Sequence, residues 1–298
     1  MRSGRTALLL LHLAVLLFGG SGLIGKLVSS PPLAISCLRS LIASVLLTAC
    51  LATQRGLWIA EMKKTGWPAV VAGALLAVHW WTFFEAIQRS SVALGLLTFA
   101  SYPLFAIVLG RVFLGEPARA WDLAACATVI GGLALVVPSW QMDHVGIAAC
   151  LGLVSGLSFA LLTIVNRGLR QNCSALPLVV VQTGISGLLL LPFASSSLLT
   201  LSGKDWLWLA LLGTVFTGLA HLSFISSLAR VRVATAGLTI ALEPVYGIAF
   251  AWLLLGEQPS GKMLLGGCLI VSAAAMSVLC KHEAAGLANL ESASQEDS

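Results

Sequence analysis

Two residues stand out because their charge is misplaced. Glu243 lies next to Pro244 in the middle of an apolar stretch, 233–255, and Arg39 lies within another, 33–53. An unpaired carboxylate is costly in hydrocarbon, so Glu243 must be protonated, paired or solvated by a cavity. As chemistry, it can carry a proton or bind an amine. As packing, a protonated Glu243 can simply hydrogen-bond a neighbouring helix. Arg39 has the chemistry to meet a carboxylate on a ligand, but a structural or gating role is the favoured expectation. A third cluster reads His79-Trp80-Trp81-Thr82-Phe83-Phe84-Glu85. At helical spacing Trp81, Phe84, Glu85 and Gln88 share a face. Aromatic rings beside a carboxylate can hold an organic cation. The plainer reading makes the tryptophans packing or lipid contacts and pairs Glu85 with Arg89. His221 has the chemistry of a proton relay, as does His79, or it is neutral and satisfied by a neighbour. Ser223, Ser226 and Ser227 line a polar path or bond their own helix backbone.

The elements that must position these groups follow from composition. Of 298 residues, 58 % are hydrophobic and only 10 % charged, against about 25 % charge in soluble domains. The mean hydropathy is +0.96. These values exclude a soluble enzyme, a nucleic-acid binder and a disordered scaffold. They imply an all-α, polytopic membrane protein in contact with the lipid bilayer. Stretches of about 20 apolar residues span a bilayer, and ten can be drawn: 6–28, 33–53, 67–88, 91–113, 121–139, 145–166, 176–194, 206–228, 233–255 and 262–280. With the N-terminus inside, twelve of the 17 basic residues fall on the cytoplasmic side and four opposite, with Arg39 inside a span. That bias places both termini in the cytoplasm. The tail 282–298 is polar and is expected to be disordered. The cysteines form no CxxC pair and read as packing residues. The sequence has no P-loop, HExxH or Cys/His metal spacing, so neither a cofactor nor a metal is expected. Gly-x-Ser-x-Gly is missing too, which leaves an intramembrane enzyme a remote alternative.

The chain also repeats itself. A shift of 141 residues lays 89–116 over 230–257. Arg89, Val92, Ala93, Leu97, Thr98, Ala100, Pro103, Ile107, Leu114, Gly115 and Glu116 all meet identical residues, among them Thr239, Pro244 and Glu257. Phe18 meets Phe159, and Lys26 meets Arg167. The last two lie at helix ends, where snorkelling is expected. Five spans per repeat is an odd number, so the second copy must enter the membrane from the opposite side. Such inverted repeats support alternating access, with a site near the midplane. The domain reading is therefore 1–140 and 141–281. Thr98, Tyr102 and Phe105 fall on one helical face and become Thr239, Glu243 and Tyr246 in the second copy. Pro103 and Pro244 stand just beyond Tyr102 and Glu243 as candidate hinges, because proline frees a backbone carbonyl. Arg39 corresponds to Gln182 with a two-residue insertion. Gly152-xxx-Gly156 signals close helix packing.

The stretch 233–257, the related 91–105 and the Leu-Gly-Glu ends at 114–116 and 255–257 resemble the drug/metabolite transporter superfamily, in its EamA-like branch. The resemblance covers about 6–280. One departure is Phe18-Gly19, where members often carry Trp-Gly. The resemblance implies a secondary transporter in the bacterial inner membrane, often an exporter of amino acids, amines or other small metabolites. It also implies a cavity lined by helices 1, 3, 4, 6, 8 and 9. The superfamily includes importers and sugar-nucleotide carriers as well, so the alternative is an importer or exchanger of another metabolite class, nucleotide-linked or methyl-donor. On this reading the substrate-binding candidates are Trp81, Phe84, Thr98, Tyr102, His221, Thr239, Glu243 and Tyr246. Glu243, His79 and Glu85 are the candidate proton carriers. The expected partners are lipid and a small-molecule substrate, with no nucleic acid and no obligatory protein partner.

Overall fold

Helices account for the architecture, and no strand occurs among the described residues. The computed structural model describes residues 2–53, 58–115, 120–136, 144–198 and 201–273. The tail 282–298, Glu116 and the last part of the expected tenth span lie outside them. In chain order the helices are α1 (Arg2–Leu27), α2 (Pro32–Ala52), α3 (Trp58–Arg89), α4 (Val92–Phe99), α5 (Tyr102–Leu114), α6 (Ala120–Val136), α7 (His144–Leu169) and α8 (Ala175–Leu198). α9 (Gly203–Gly213) continues through a π-helical turn, Thr214–Leu219, into α10 (Ala220–Ser227). α11 (Val233–Ile240), α12 (Glu243–Leu255) and α13 (Gly261–Ala273) complete the order. Eight helical stretches are long and apolar enough to cross a membrane, and Ala120–Gly132 and Gly261–Ala273 are shorter apolar helices. Large apolar side chains such as Val45, Phe193 and Leu253 face outward, as a lipid-facing surface requires.

Local chemistry sets the boundaries. Pro32 opens α2, where its missing N–H costs nothing. Ser91 caps α4 by accepting from Leu94 N–H at 3.1 Å. Ser202 and Asp205 form a reciprocal capping box at the start of α9. Gly115 and Gly256 end α5 and α12 in the left-handed region, at φ 64° and 69°, which only glycine adopts without strain. The third expected span begins earlier than 67, because α3 runs on through a kink at Gly66 just before Pro68.

Two of the expected spans are broken, and both breaks follow one pattern. α4 stops at Phe99 and α5 starts at Tyr102; α11 stops at Ile240 and α12 starts at Glu243. These bounds differ by 141 at every point. At the first break Ser101 N–H bonds the Thr98 carbonyl and Leu104 N–H bonds that of Ser101. At the second, Leu242 N–H bonds Thr239 and Val245 N–H bonds Leu242. Pro103 and Pro244 lack the N–H that would continue the α ladder across each gap. The breaks also decide which side chains share a face. The stripe Thr98, Tyr102, Phe105 assumed a continuous helix, and the interruption separates its first member from the other two.

Packing joins the halves crosswise. α4 lies on α12 and α5 on α11, so the two broken spans run antiparallel. α1 packs on α10 and α12, whereas α7 packs on α3, α4 and α5. α2 lies against α8. Gly152 and Gly156 seat α7 on the first break: a side chain at Gly152 would collide with Thr98 Oγ1, and one at Gly156 would meet Ser101 Oγ. The principal core gathers the aromatic side chains Phe18, Trp80, Phe83, Phe84, Phe99, Tyr102, Phe159 and Phe224 where these helices cross.

Candidate functional site

Inside that aromatic core is a cavity of about 20 Å³, bounded by Phe18, Ser21, Arg39, His79, Trp80, Phe83, Phe99, Phe159 and Glu243. A space of that size holds about one water molecule. The aromatic groups form its walls, with ring centroids 4.5 Å apart for His79 and Phe159, and 6.1 Å apart for Phe18 and Phe159. The polar groups arrive from different helices: Ser21 from α1, Arg39 from α2, His79 from α3 and Glu243 from α12.

Arg39 is 1 % exposed. Its Nε donates to Thr217 Oγ1 at 2.7 Å, one terminal nitrogen to Ser21 Oγ at 3.0 Å, and the other to the Phe216 carbonyl at 3.1 Å. Thr217 and Phe216 belong to the π-helical turn. The Thr217 hydroxyl donates to the Leu212 carbonyl, five residues back, leaving its lone pairs for Arg39. π turns shift backbone groups out of α register and recur at functional sites. The guanidinium also lies 4.4 Å from the Trp80 ring centre and 5.0 Å from that of Phe84, a cation–π arrangement. Four elements thus meet at one side chain.

Glu243 is 3 % exposed and begins α12 directly after the second break. The free N–H groups of a helix start favour a negative charge there. Its carboxylate makes no hydrogen bond among the described residues. Across the cavity, Arg39 is near enough to act on it electrostatically, although no ion pair forms.

His79 is fixed by Ser155 of α7. The Ser155 hydroxyl donates to the His79 carbonyl at 3.2 Å, and its oxygen lies 2.8 Å from Nδ1. That pattern puts the ring proton on Nδ1 and leaves Nε2 as the acceptor. His221 stands behind Trp80, at 5.8 Å between rings. Its Nε2 lies 3.4 Å from Gln182 Oε1, and Gln182 is paired in turn with Asn166. His221 Nδ1 has no hydrogen-bond partner among the described residues.

The remaining sequence candidates lie elsewhere. Trp81 is 37 % exposed on the outer surface, and its neighbour Trp80 occupies the inner face. Glu85 pairs with Arg89 at 2.6 Å near the end of α3. Phe84 reaches the site through Arg39. Thr98 and Thr239 donate to their own helix backbones, to Leu94 and Thr235. Tyr102 OH lies 3.0 Å from Thr163 Oγ1 and braces α5 against α7. Tyr246 is half-buried and packs on Gly19 of α1. Of the paired stripes, only Glu243 bounds the cavity. Sequence reasoning did not single out Ser21, Ser155, Thr217 or Phe99. The bulk of Phe99 just ahead of the first break was a usable signal; the three hydroxyls carried none. No cluster of His, Cys, Asp and Glu fit to hold a metal occurs among the described residues.

A family model described as the EamA-like transporter family matches residues 5–137 and again 146–279. The chain belongs to the EamA-like transporter family. It is therefore a multi-pass membrane transporter and not an enzyme. The chain is similar to a probable amino-acid metabolite efflux pump of Salmonella typhimurium, 30 % identical over 192 residues, covering 59 % of this chain and 64 % of that protein. It is similar to a riboflavin transporter of Rhizobium johnstonii, 31 % identical over 221 residues, covering 71 % and 66 % respectively. The aligned stretches thus span just under two thirds of each relative. A solved crystal structure covers 94 % of this transporter and 98 % of its own chain with a TM-score of 0.71 and 21 % identity, a likeness of fold.

Proposed function

We propose that this transporter is a proton-coupled exporter of amino acids or amines, working by alternating access around the Arg39–Glu243 cavity. The observation that carries the reading is Glu243: a buried carboxylate, directly after a helix break, facing a water-sized space and without a hydrogen bond among the described residues. A group so placed is free to exchange a proton for a cationic ligand. The charged or titratable neighbours on its cavity are Arg39 and His79. Of the helices packed on α12, α4 carries no titratable side chain, and α1 presents Phe18, Gly19 and Ser21. The relative named as an amino-acid metabolite efflux pump supports the direction and the class.

The repeat supports the mechanism. We take residues 1–140 and 141–281 as two five-span units of opposite orientation, ten spans in all. The crosswise packing supports this, because exchanging the halves turns the contact of α1 with α10 into that of α7 with α3. In that arrangement the cavity lies at the repeat interface, where transporters of this design place their substrate. The chain then sits in a bacterial inner membrane with both termini cytoplasmic. A second reading, import or exchange of a larger aromatic metabolite, draws on the aromatic walls and on the relative named as a riboflavin transporter.

Proteoliposomes with an imposed pH gradient test the proposal. The wild type should move an amino acid or amine against its own gradient, and Glu243→Gln should lose gradient-driven movement, with any remaining exchange weakened by loss of the cation's partner. Gradient-driven transport that persists in Glu243→Gln would remove the proton-coupling role. Movement of flavins alone would favour the second reading.

A further inference from the structure

Arg39 is held only by neutral acceptors. Its three hydrogen bonds end on two hydroxyls and one backbone carbonyl. A guanidinium offers five N–H donors, so the group is not saturated. No carboxylate of the described residues lies within ion-pair distance of it; the ion pairs found there are Lys64–Glu61 and Arg89–Glu85, both at helix ends. A buried cation gains much more from a carboxylate, which can accept two parallel charge-assisted bonds, than from neutral oxygens. Glu243 shows the complementary deficit on the same cavity. The two groups thus bound one small space, come from α2 and α12, and feel each other electrostatically without a hydrogen bond or ion pair between them.

We propose that Arg39 is the carboxylate receptor of the transport site, and that the substrate is a zwitterion whose carboxylate meets Arg39 and whose ammonium meets Glu243. This rests on the reading of the cavity as the transport site and decides between its two substrate classes. The neutral acceptors are placeholders: Ser21, Thr217 and the Phe216 carbonyl occupy the guanidinium when no carboxylate is present. The charge pair also rejects near relatives of the substrate. A simple amine bound at Glu243 lies beside an unneutralised guanidinium, and a simple acid bound at Arg39 faces the Glu243 carboxylate. Discrimination against such partners comes from repulsion as much as from attraction. The cavity as it stands holds about one water, so the aromatic walls must part to admit the apolar side chain of the substrate.

The test uses matched trios on the purified full-length protein in detergent. One trio is L-phenylalanine, phenethylamine and 3-phenylpropionate; the other is L-leucine, isoamylamine and 4-methylpentanoate. Thermal stabilisation reports binding by mass action. In the wild type the zwitterion should act at concentrations about tenfold lower, or more, than either single-charge analogue, as expected for one charge-assisted contact. Arg39→Gln should level the zwitterion with the amine. Arg39→Lys, which keeps the charge but loses the fork, should give an intermediate preference and serves if Arg39→Gln does not fold. Equal responses to amine and zwitterion in the wild type, or an undiminished preference in Arg39→Gln, would overturn the assignment. A response to amines alone sinks the Arg39 role and leaves the amine reading standing. No response to any of the six sinks both.

Discussion

Lys26 and Arg167 perform the same task at opposite ends of the bundle. Lys26 Nζ donates to the Ile87 carbonyl at 3.0 Å and to that of Ser90 at 3.2 Å, at the end of α3. Arg167 donates to the Leu228 carbonyl at 2.6 Å, just past α10. Donor and acceptor are each displaced by 141 residues. Cys173, beyond α7, meets the Lys64 carbonyl at the other end of α3, which places the two caps on opposite sides. Both are cationic caps that tie the first span of a half to the last turn of another helix, where carbonyls lack partners.

Removing either cap should cost stability rather than specificity. Lys26→Met should lower stability by about 1–3 kcal/mol, the worth of a hydrogen bond to a charged group. Thermal unfolding in detergent measures the loss, and Lys26→Arg should restore most of it. An unchanged midpoint in Lys26→Met would show that the cap is idle.

Adjacent tryptophans should behave differently. Trp80 is buried over Arg39, and Trp81 faces outward. Trp80→Leu should abolish or severely reduce transport while the protein still inserts. Trp81→Leu should stay within a few tenths of a kcal/mol in stability and near wild-type rate. Transport assays on matched amounts of each variant check this, and the opposite ranking would invert the assignment of faces.

Gly152 is a packing requirement of the first break. Gly152→Val would drive its side chain into Thr98. Overpacking of this kind costs about 1–3 kcal/mol. The double variant Gly152→Val with Thr98→Ala should recover part of the loss. Simple additivity of the two changes would show that the collision is relieved elsewhere.

Outside the membrane-spanning segments, Glu61 is bonded by Lys64 and Ser174, and these bonds hold its carboxyl below the ordinary carboxylate range. A lowered folded-state pKa gives stability that is present above the unfolded value and lost as pH falls through the folded one. Glu61→Gln should therefore melt slightly below the wild type at neutral pH, and the two curves should converge in acid. The gap stays small because the pair is exposed. A gap that widens in acid would contradict the assignment.

Much of the framework was legible in the residues. Apolar runs and turn signals located eight long apolar helices, and Pro103 and Pro244 marked two related positions as hinges, but continuous helix was expected across the breaks with matching ends at Phe99 and Ile240. Glu243 announced itself by its cost in an apolar run. The site was less legible. Adjacent positions on a helix differ by about 100°, so composition alone did not choose between Trp80 and Trp81. The Thr98–Tyr102 stripe assumed a continuous helix that Pro103 interrupts. Ser21, Ser155 and Thr217 matter because of what lies opposite them, and a hydroxyl in an apolar helix gives no sign of a distant partner.

The size of the cavity has an electrical consequence. One water cannot form a chain, and a proton moves through protein along chains of water or titratable groups. Aromatic rings make up most of the wall of this cavity, with Glu243, His79 and Arg39 set among them. On the proposed mechanism the cavity is therefore a stop and not a wire: it holds about one water, and a proton taken up by Glu243 travels with the moving helices rather than along solvent.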